Sequence, residues 1–516
     1  MTLTISRKEK KVRRSTIQIH IGALLSVPAL LLAISACGPQ QSVSRADETA
    51  SPPAAPAADG GRHVPASATE TSSGAKVLSS PASQPSGKPS SPRAEVTPTP
   101  TRNEPARTGG PPPKPEAQAP GPWPQFRGPD RTGISPETGL LKQWPAGGPS
   151  LLWKATGIGT GNGAPSVVGG RIFGMSYRGQ DECVWALDEP NGKPVWNLRI
   201  AAANFNIGPQ AQDGPGCTPT IVGDRLYALG VSGDLVCLQT SDGKLLWKKS
   251  LVQDFGGTVP QWGYQESPLV DGNKVIVTPG GSDATLVALD RMTGAVIWKG
   301  KVPQGDGAAY ASAVIGNAGG QRQYVQLLAH GVVGVAATDG HFLWRYDAPA
   351  NNFGINCSAP IVQDDQVFAA SSYNTGGGLA KLSAGQGGAM TATQVYFTRN
   401  MRNHHGGMVL LNGYLYGFDE SNLTCLDFKT GAVKWSDRSV GKGSITCADG
   451  CIYARSERGP VALVEVNPER YVEKGRFDQP DRSGKTAWPY PVIANGRLYL
   501  RDHDTLLCYN VRPGSP

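Results

Sequence analysis

At 516 residues, with 66 glycines, 43 prolines and only 17% charged residues, the chain has the profile of a turn-rich all-β protein joined to a segment that cannot pack. Its net charge of +8 is concentrated at the start, where Arg7, Lys8, Lys10, Lys11, Arg13 and Arg14 face Glu9 alone, leaving +3 beyond residue 36. That balance excludes a basic face for nucleic acid.

In chain order, the basic start is followed by an apolar run over residues 21–34 and then by Ser35-Ala36-Cys37. This predicts an export signal over residues 1–36. Ile34-Ser35-Ala36-Cys37 resembles a bacterial lipobox, which implies cleavage before Cys37 and lipid on that residue. The alternative is an uncleaved signal anchor. Either places the remainder outside the cytoplasm, held to a membrane by its N-terminus. Residues 37–121 are rich in Pro, Ser, Ala, Gly and Thr, and so cannot bury enough apolar surface to offset chain entropy. As a coil they would span roughly 50 Å.

From Trp123 onward strands and turns take over. Tight turns between apolar runs fall at Gly169-Gly170, Gly223-Asp224, Asp271-Gly272, Gly319-Gly320, Asp364-Asp365, Asn412-Gly413, Asp449-Gly450 and Asn495-Gly496. These residue types tolerate the positive φ of two-residue hairpins. After most of these turns comes a second pattern, such as Val287-Ala288-Leu289-Asp290 with Gly294 and Trp298. It recurs around Asp188, Gln239 and Asp427. Two hairpins per unit, repeated about every 45–50 residues, describe a four-stranded propeller blade. The last unit stops one strand short, and an unassigned strand, Leu151-Leu152-Trp153, precedes the first. Pairing the two would close a ring and hide its edges. The expected fold is therefore an all-β, eight-bladed propeller over residues 122–510, with a tail at 511–516. Seven blades plus a cap is the competitor, because units five and seven lack a clean motif. Trp153, Trp196, Trp247, Trp298, Trp344 and Trp435 are expected to pack between blades rather than touch a ligand.

Cys183, Cys217, Cys237, Cys357, Cys425, Cys447, Cys451 and Cys508 form no CxxC pair, so neither a zinc site nor haem attachment is suggested. Cys237, Cys425 and Cys508 stand where other copies carry Ala and read as small core residues. Cys447 and Cys451 flank a turn, which leaves a cross-hairpin disulfide open. Asp437-Arg438 and Asp481-Arg482 read as solvated turn charges.

The repeat, with Ala288-Leu289-Asp290-Arg291-Met292-Thr293-Gly294-Ala295-Val296-Ile297-Trp298 as its clearest copy, resembles the quinoprotein-type or PQQ-like propeller repeat. The stretches Trp123-Pro124-Gln125-Phe126-Arg127-Gly128-Pro129 and Asn403-His404-His405-Gly406-Gly407 resemble exported PQQ-like propellers of planctomycete-type bacteria. The repeat is shared by quinoprotein alcohol dehydrogenases, which bind PQQ and calcium on the axis, and by lipoprotein scaffolds of the BamB type, which have no cofactor. It specifies a fold rather than a chemistry.

Loops entering the innermost strands ring one mouth of such a propeller, the default ligand site. They carry Asn162, Asp213, Trp262, Tyr264, Glu266, Tyr310, Asn356, His404, His405, Lys442 and Trp488. For a quinoprotein, Glu266, Asp213 and Asn356 would supply calcium oxygens or a base, and Trp262 or Trp488 a stacking face. No metal site is assigned to His404-His405; the expectation is one mouth-facing ring and one packed ring. The adjacent-cysteine disulfide of the dehydrogenases has no counterpart here. The favoured reading is thus a non-catalytic, lipid-anchored monomeric scaffold with an envelope protein partner, on the outer membrane more than the inner. The alternative is a PQQ- and calcium-dependent oxidoreductase.

Overall fold

Apolar runs such as Val184-Trp185-Ala186-Leu187, each residue at most 1% exposed, are too continuous for a sheet with one wet face. They suit strands covered on both sides by neighbouring blades. The computed structural model describes residues 121–385 and 388–514; the export signal, Cys37 and the linker to residue 120 lie outside them. Eight sheets follow in order around the ring. The first consists of Ser166–Val168, Arg171–Arg178, Asp181–Asp188 and Pro194–Ala202. Blades 2 to 7 span residues 220–250, 269–300, 314–346, 361–398, 408–437 and 443–478. In blade 8, Leu151–Thr156 pairs antiparallel with Thr505–Asn510, from Leu151 opposite Tyr509 to Thr156 opposite Thr505. This is the closure expected from the missing strand, and units five and seven both form complete sheets. The seven-blade alternative is set aside.

Three local expectations are corrected. The third blade's turn is Gly272-Asn273, because Asp271 already pairs with Lys274 on the strand. Asp271 instead accepts hydrogen bonds from Arg322 and Tyr324 of the next blade. Cys447 and Cys451 are both free, and the strand pleat sends them to different inter-blade cores, so no disulfide can join them. Arg482 is no solvated turn charge, since its Nε lies 3.0 Å from the buried carboxylate of Asp502.

The tryptophans space the blades through one recurring contact. Gly192, Gly243, Gly294 and Gly340 each close a turn at φ between +69° and +76°. A Cβ on them would come within 2.4–2.9 Å of Trp153, Trp196, Trp247 and Trp298 of the preceding blade. Several indoles also donate to a carbonyl of that neighbouring turn: Trp153 to Glu189, Trp196 to Thr240, Trp247 to Arg291 and Trp435 to Asn467, at 2.7–3.2 Å. In blade 5, which has no Trp, Tyr396 takes the place against Gly431 and donates to the Phe428 carbonyl at 2.9 Å. Trp344 departs from the pattern: its Nε1 donates to Gln323 within its own blade.

A second device closes the axis. Residues 123–135 cross the centre of the ring and bond to blades on both sides of it. Trp123 bridges Val167, and the Pro124 carbonyl accepts from Ile221. The Arg131 guanidinium donates to the Ser267 and Pro268 carbonyls at 2.9 and 3.2 Å. Arg127 reaches the Met408 carbonyl at 2.6 Å, while its own N–H donates to the Tyr490 hydroxyl at 2.9 Å. Ile134–Ser135 then runs parallel to the innermost strand of blade 7. Burial lowers both guanidinium pKa values to about 10, so both remain charged at neutral pH. The Trp-Pro-Gln-Phe-Arg-Gly-Pro stretch is therefore an axial plug.

Two predictions follow from this packing. Arg131→Ala strands the Ser267 and Pro268 carbonyls in the core and is expected to lower unfolding free energy by about 2–4 kcal/mol in a denaturant titration. The second concerns pH. Burial pushes Glu182 up to about 8 and Glu266 up to about 7, and raises Glu137 and Glu457 as well. The native state therefore holds protons that the unfolded chain has released, and stability falls as pH rises through this range. The buried His404, His405 and His503 have lowered pKa values and oppose this trend up to about one pH unit above their ordinary pKa of 6.5. Between about pH 7.5 and 8 the glutamates dominate the slope. The melting temperature should fall across that window, and Glu182→Gln should flatten it by an amount on the order of 1 kcal/mol.

Candidate functional site

With the plug in place, the mouth is a cup of about 230 Å³ rather than a channel. Phe126 and Arg127 of the plug contribute to its lining, and Trp262, Tyr310, Tyr373, Trp488 and Tyr490 form aromatic walls. Trp262 and Tyr310 meet edge to face at 5.9 Å. No Asp or Glu is among the lining residues. Of the mouth residues expected from sequence, Asn162, Trp262, Tyr310, His404, His405 and Trp488 line the cup.

The others are spent elsewhere. Tyr264 is 1% exposed and its hydroxyl donates to the Pro279 carbonyl at 2.8 Å. Glu266 is buried, accepting from the Thr278 N–H at 2.6 Å and from Gln326 Nε2 at 3.1 Å. Asn356 is fully buried, its oxygen held by Asn351 at 3.0 Å and its amide nitrogen donating to Leu328 and Ala329 carbonyls. Asp213 ends a short 3₁₀ turn and pairs with Lys485. These oxygens knit blades and loops together and do not converge. Among the described residues no three His, Cys, Asp or Glu side chains stand close enough to share a metal ion. The nominated donor set does not fit the hard oxygen cage that calcium requires.

The histidines also depart from expectation. They sit outside any strand, and their rings stack at 4.3 Å with 28° between planes. His404 meets Tyr373 edge-on at 5.2 Å, and His405 meets Trp488 at 5.0 Å. Lys442 stands behind them, its ammonium donating to His404 Nδ1 at 3.0 Å. Burial first, and the Lys442 charge second, lower the His404 pKa to about 3. Burial also holds His405 neutral. Its Nε2 lies 3.3 Å from Glu457 without an aligned hydrogen bond, and because the ring is neutral this contact is not an ion pair. Neutral His404 accepts at Nδ1 and therefore carries its proton on Nε2.

Sequence reasoning missed Arg127, Phe126, Cys357, Ser358 and Tyr373. Cys357 adjoins Asn356 in a mouth loop and was reachable by register; burial raises its thiol pKa to about 12, so it stays protonated. Tyr373 lies in the turn between the second and third strands of blade 5. Those turns reach the same face as the entry loops, because each strand reverses the direction of the last.

Comparisons with known proteins agree with this architecture. A family model described as outer membrane protein assembly factor BamB matches residues 180–437, half of the chain. Tetrathionate hydrolase of Acidithiobacillus ferrooxidans is 22% identical over 425 residues, covering 72% of this chain and 78% of that protein. Outer membrane protein assembly factor BamB of Escherichia coli is 24% identical over 167 residues, covering 29% of this chain and 38% of that one. Among solved structures, the quinohemoprotein alcohol dehydrogenase of Comamonas testosteroni superposes with a TM-score of 0.51 at 11% identity, over 77% of this chain and 81% of that one. That likeness concerns the fold alone. With half its length matched by that one family model and its eight blades built on the same repeat, the chain belongs to the PQQ-like propeller family described under BamB.

Proposed function

We propose that this protein is an exported, envelope-anchored propeller that acts as a binding or assembly scaffold, with the plugged mouth as its contact site. One observation carries the reading: the acidic and amide side chains nominated for chemistry are consumed as internal struts, whereas the aromatic and imidazole groups of the cup remain presented. Aromatic side chains at the centre of a pocket are the usual anchors of protein recognition. The exposed ring of Phe353 at the rim, 71% accessible and 5.6 Å from Tyr373, extends that surface. A relative named as an outer membrane protein assembly factor supports the envelope setting. In this reading Cys37 carries the lipid and Gly38 directs the protein to the outer membrane. The partner is an envelope protein, and the propeller acts as a monomer.

The scaffold reading is tested by affinity capture from an envelope fraction with the full chain and with a Trp262→Ala/Trp488→Ala variant. A specific protein should be recovered by the first and lost by the second at unchanged melting temperature. Recovery of the same proteins by both would remove the mouth from the argument. The oxidoreductase reading has its own test. Purified protein mixed with PQQ and calcium is expected to show no alcohol-dependent dye reduction, and its appearance would replace the scaffold with an enzyme.

A further inference from the structure

The unspent polar groups of the cup share one sense. Among the described residues, His404 Nε2, Trp488 Nε1 and the Tyr373 hydroxyl meet no protein partner, and none of them is sealed from solvent. The two ring nitrogens donate only, in the tautomer that Lys442 imposes on His404, and the hydroxyl is free to donate. No carboxylate lines the cup to compete for them. Behind the His404 ring lies the Lys442 ammonium, 3.0 Å from Nδ1 and 3.9 Å from Glu457, too far from that carboxylate for a hydrogen bond. A second cation, Arg127, lies in the floor. A ligand suited to this site brings acceptors and negative charge to the His404 edge and a flat apolar body to the aromatic walls. A neutral apolar group would leave the donors unpaired, and a cation would meet Lys442 across one imidazole.

We propose that the cup is a receptor for an aromatic carboxylate, whose oxygens take the His404 and Trp488 N–H groups while its ring stacks among Trp262, Tyr373 and Trp488. The proposal deepens the scaffold reading by naming what the mouth recognises, and rests on the mouth being a binding site. Lys442 acts through His404: its charge fixes the tautomer and strengthens the Nε2–H donor without touching the ligand. The carboxylate can belong to a free aromatic acid or to the exposed end or acidic flank of a protein segment.

The test is calorimetric titration of the purified full chain with benzoate, benzamide and acetate, which separate ring from charge. Benzoate should bind at least tenfold more tightly than benzamide and than acetate. Lys442→Met should weaken benzoate at least fivefold and leave benzamide unchanged; should that variant fail to fold, Lys442→Gln carries the same readout. Benzamide binding as tightly as benzoate, benzoate binding that ignores Lys442, or no binding of benzoate overturns the proposal. Capture of an envelope partner that benzoate displaces assigns the carboxylate to that partner, and benzoate binding without such displacement assigns it to a free acid. A partner captured through the mouth by a protein that does not bind benzoate would retain the scaffold and remove this ligand class.

Discussion

The ring is kept in phase by an indole of one blade resting on a turn glycine of the next. The contact works because two constraints coincide at the same residue. The turn demands positive φ, and the arriving ring leaves no room for a Cβ. Where the indole also donates to a carbonyl of that turn, the contact acquires direction, and rotation of one blade against another costs a hydrogen bond as well as buried area. Blade 5 confirms the logic by substitution. A tyrosine fills the place of the missing indole and reaches the equivalent carbonyl with its hydroxyl.

A ring held this way still has an open axis, and the plug decides what the axis becomes. Two arginines do the holding through charge-assisted bonds to carbonyls on opposite sides of the ring. Burying two guanidiniums would be costly without those acceptors. The plug therefore contributes to closure at the centre as the 151–156 strand does at the perimeter. Both lie N-terminal to the first blade in sequence, so the short stretch before the repeats completes the structure that the repeats begin.

The periodic part of this design was legible from residues alone. Blade count, the closing strand and the inter-blade role of the tryptophans all rest on spacing, and spacing is local. The plug was not legible, because Arg127 and Arg131 acquire meaning only from carbonyls more than 130 residues away. The site was half legible for a related reason. Register identified loops that share the mouth and so found Asn162, Trp262, Tyr310, His404, His405 and Trp488. It does not say which way each side chain turns, so Glu266 and Asn356, one residue from the cup lining at Gln265 and Cys357, fall in mouth loops yet are buried away from the cup. It also ignored the second set of turns on the same face, which supply Tyr373.

That inward turn has a chemical consequence. A carboxylate that braces neighbouring blades must be buried, and burial raises its pKa toward neutrality, as with Glu266. The same dry surroundings keep the two stacked imidazoles uncharged, and a lysine at hydrogen-bond distance from His404 pushes in the same direction. The carboxylates are thus kept out of the cup lining, with Glu457 behind the histidines and Glu420 accepting from Ser372, while the cations at Lys442 and Arg127 stand at its back and floor. The resulting asymmetry does not come from a cluster of basic residues; it comes from where the acids went. A mouth built this way has donors, rings and a positive background, a combination that favours recognition of an anion over the binding of a hard cation.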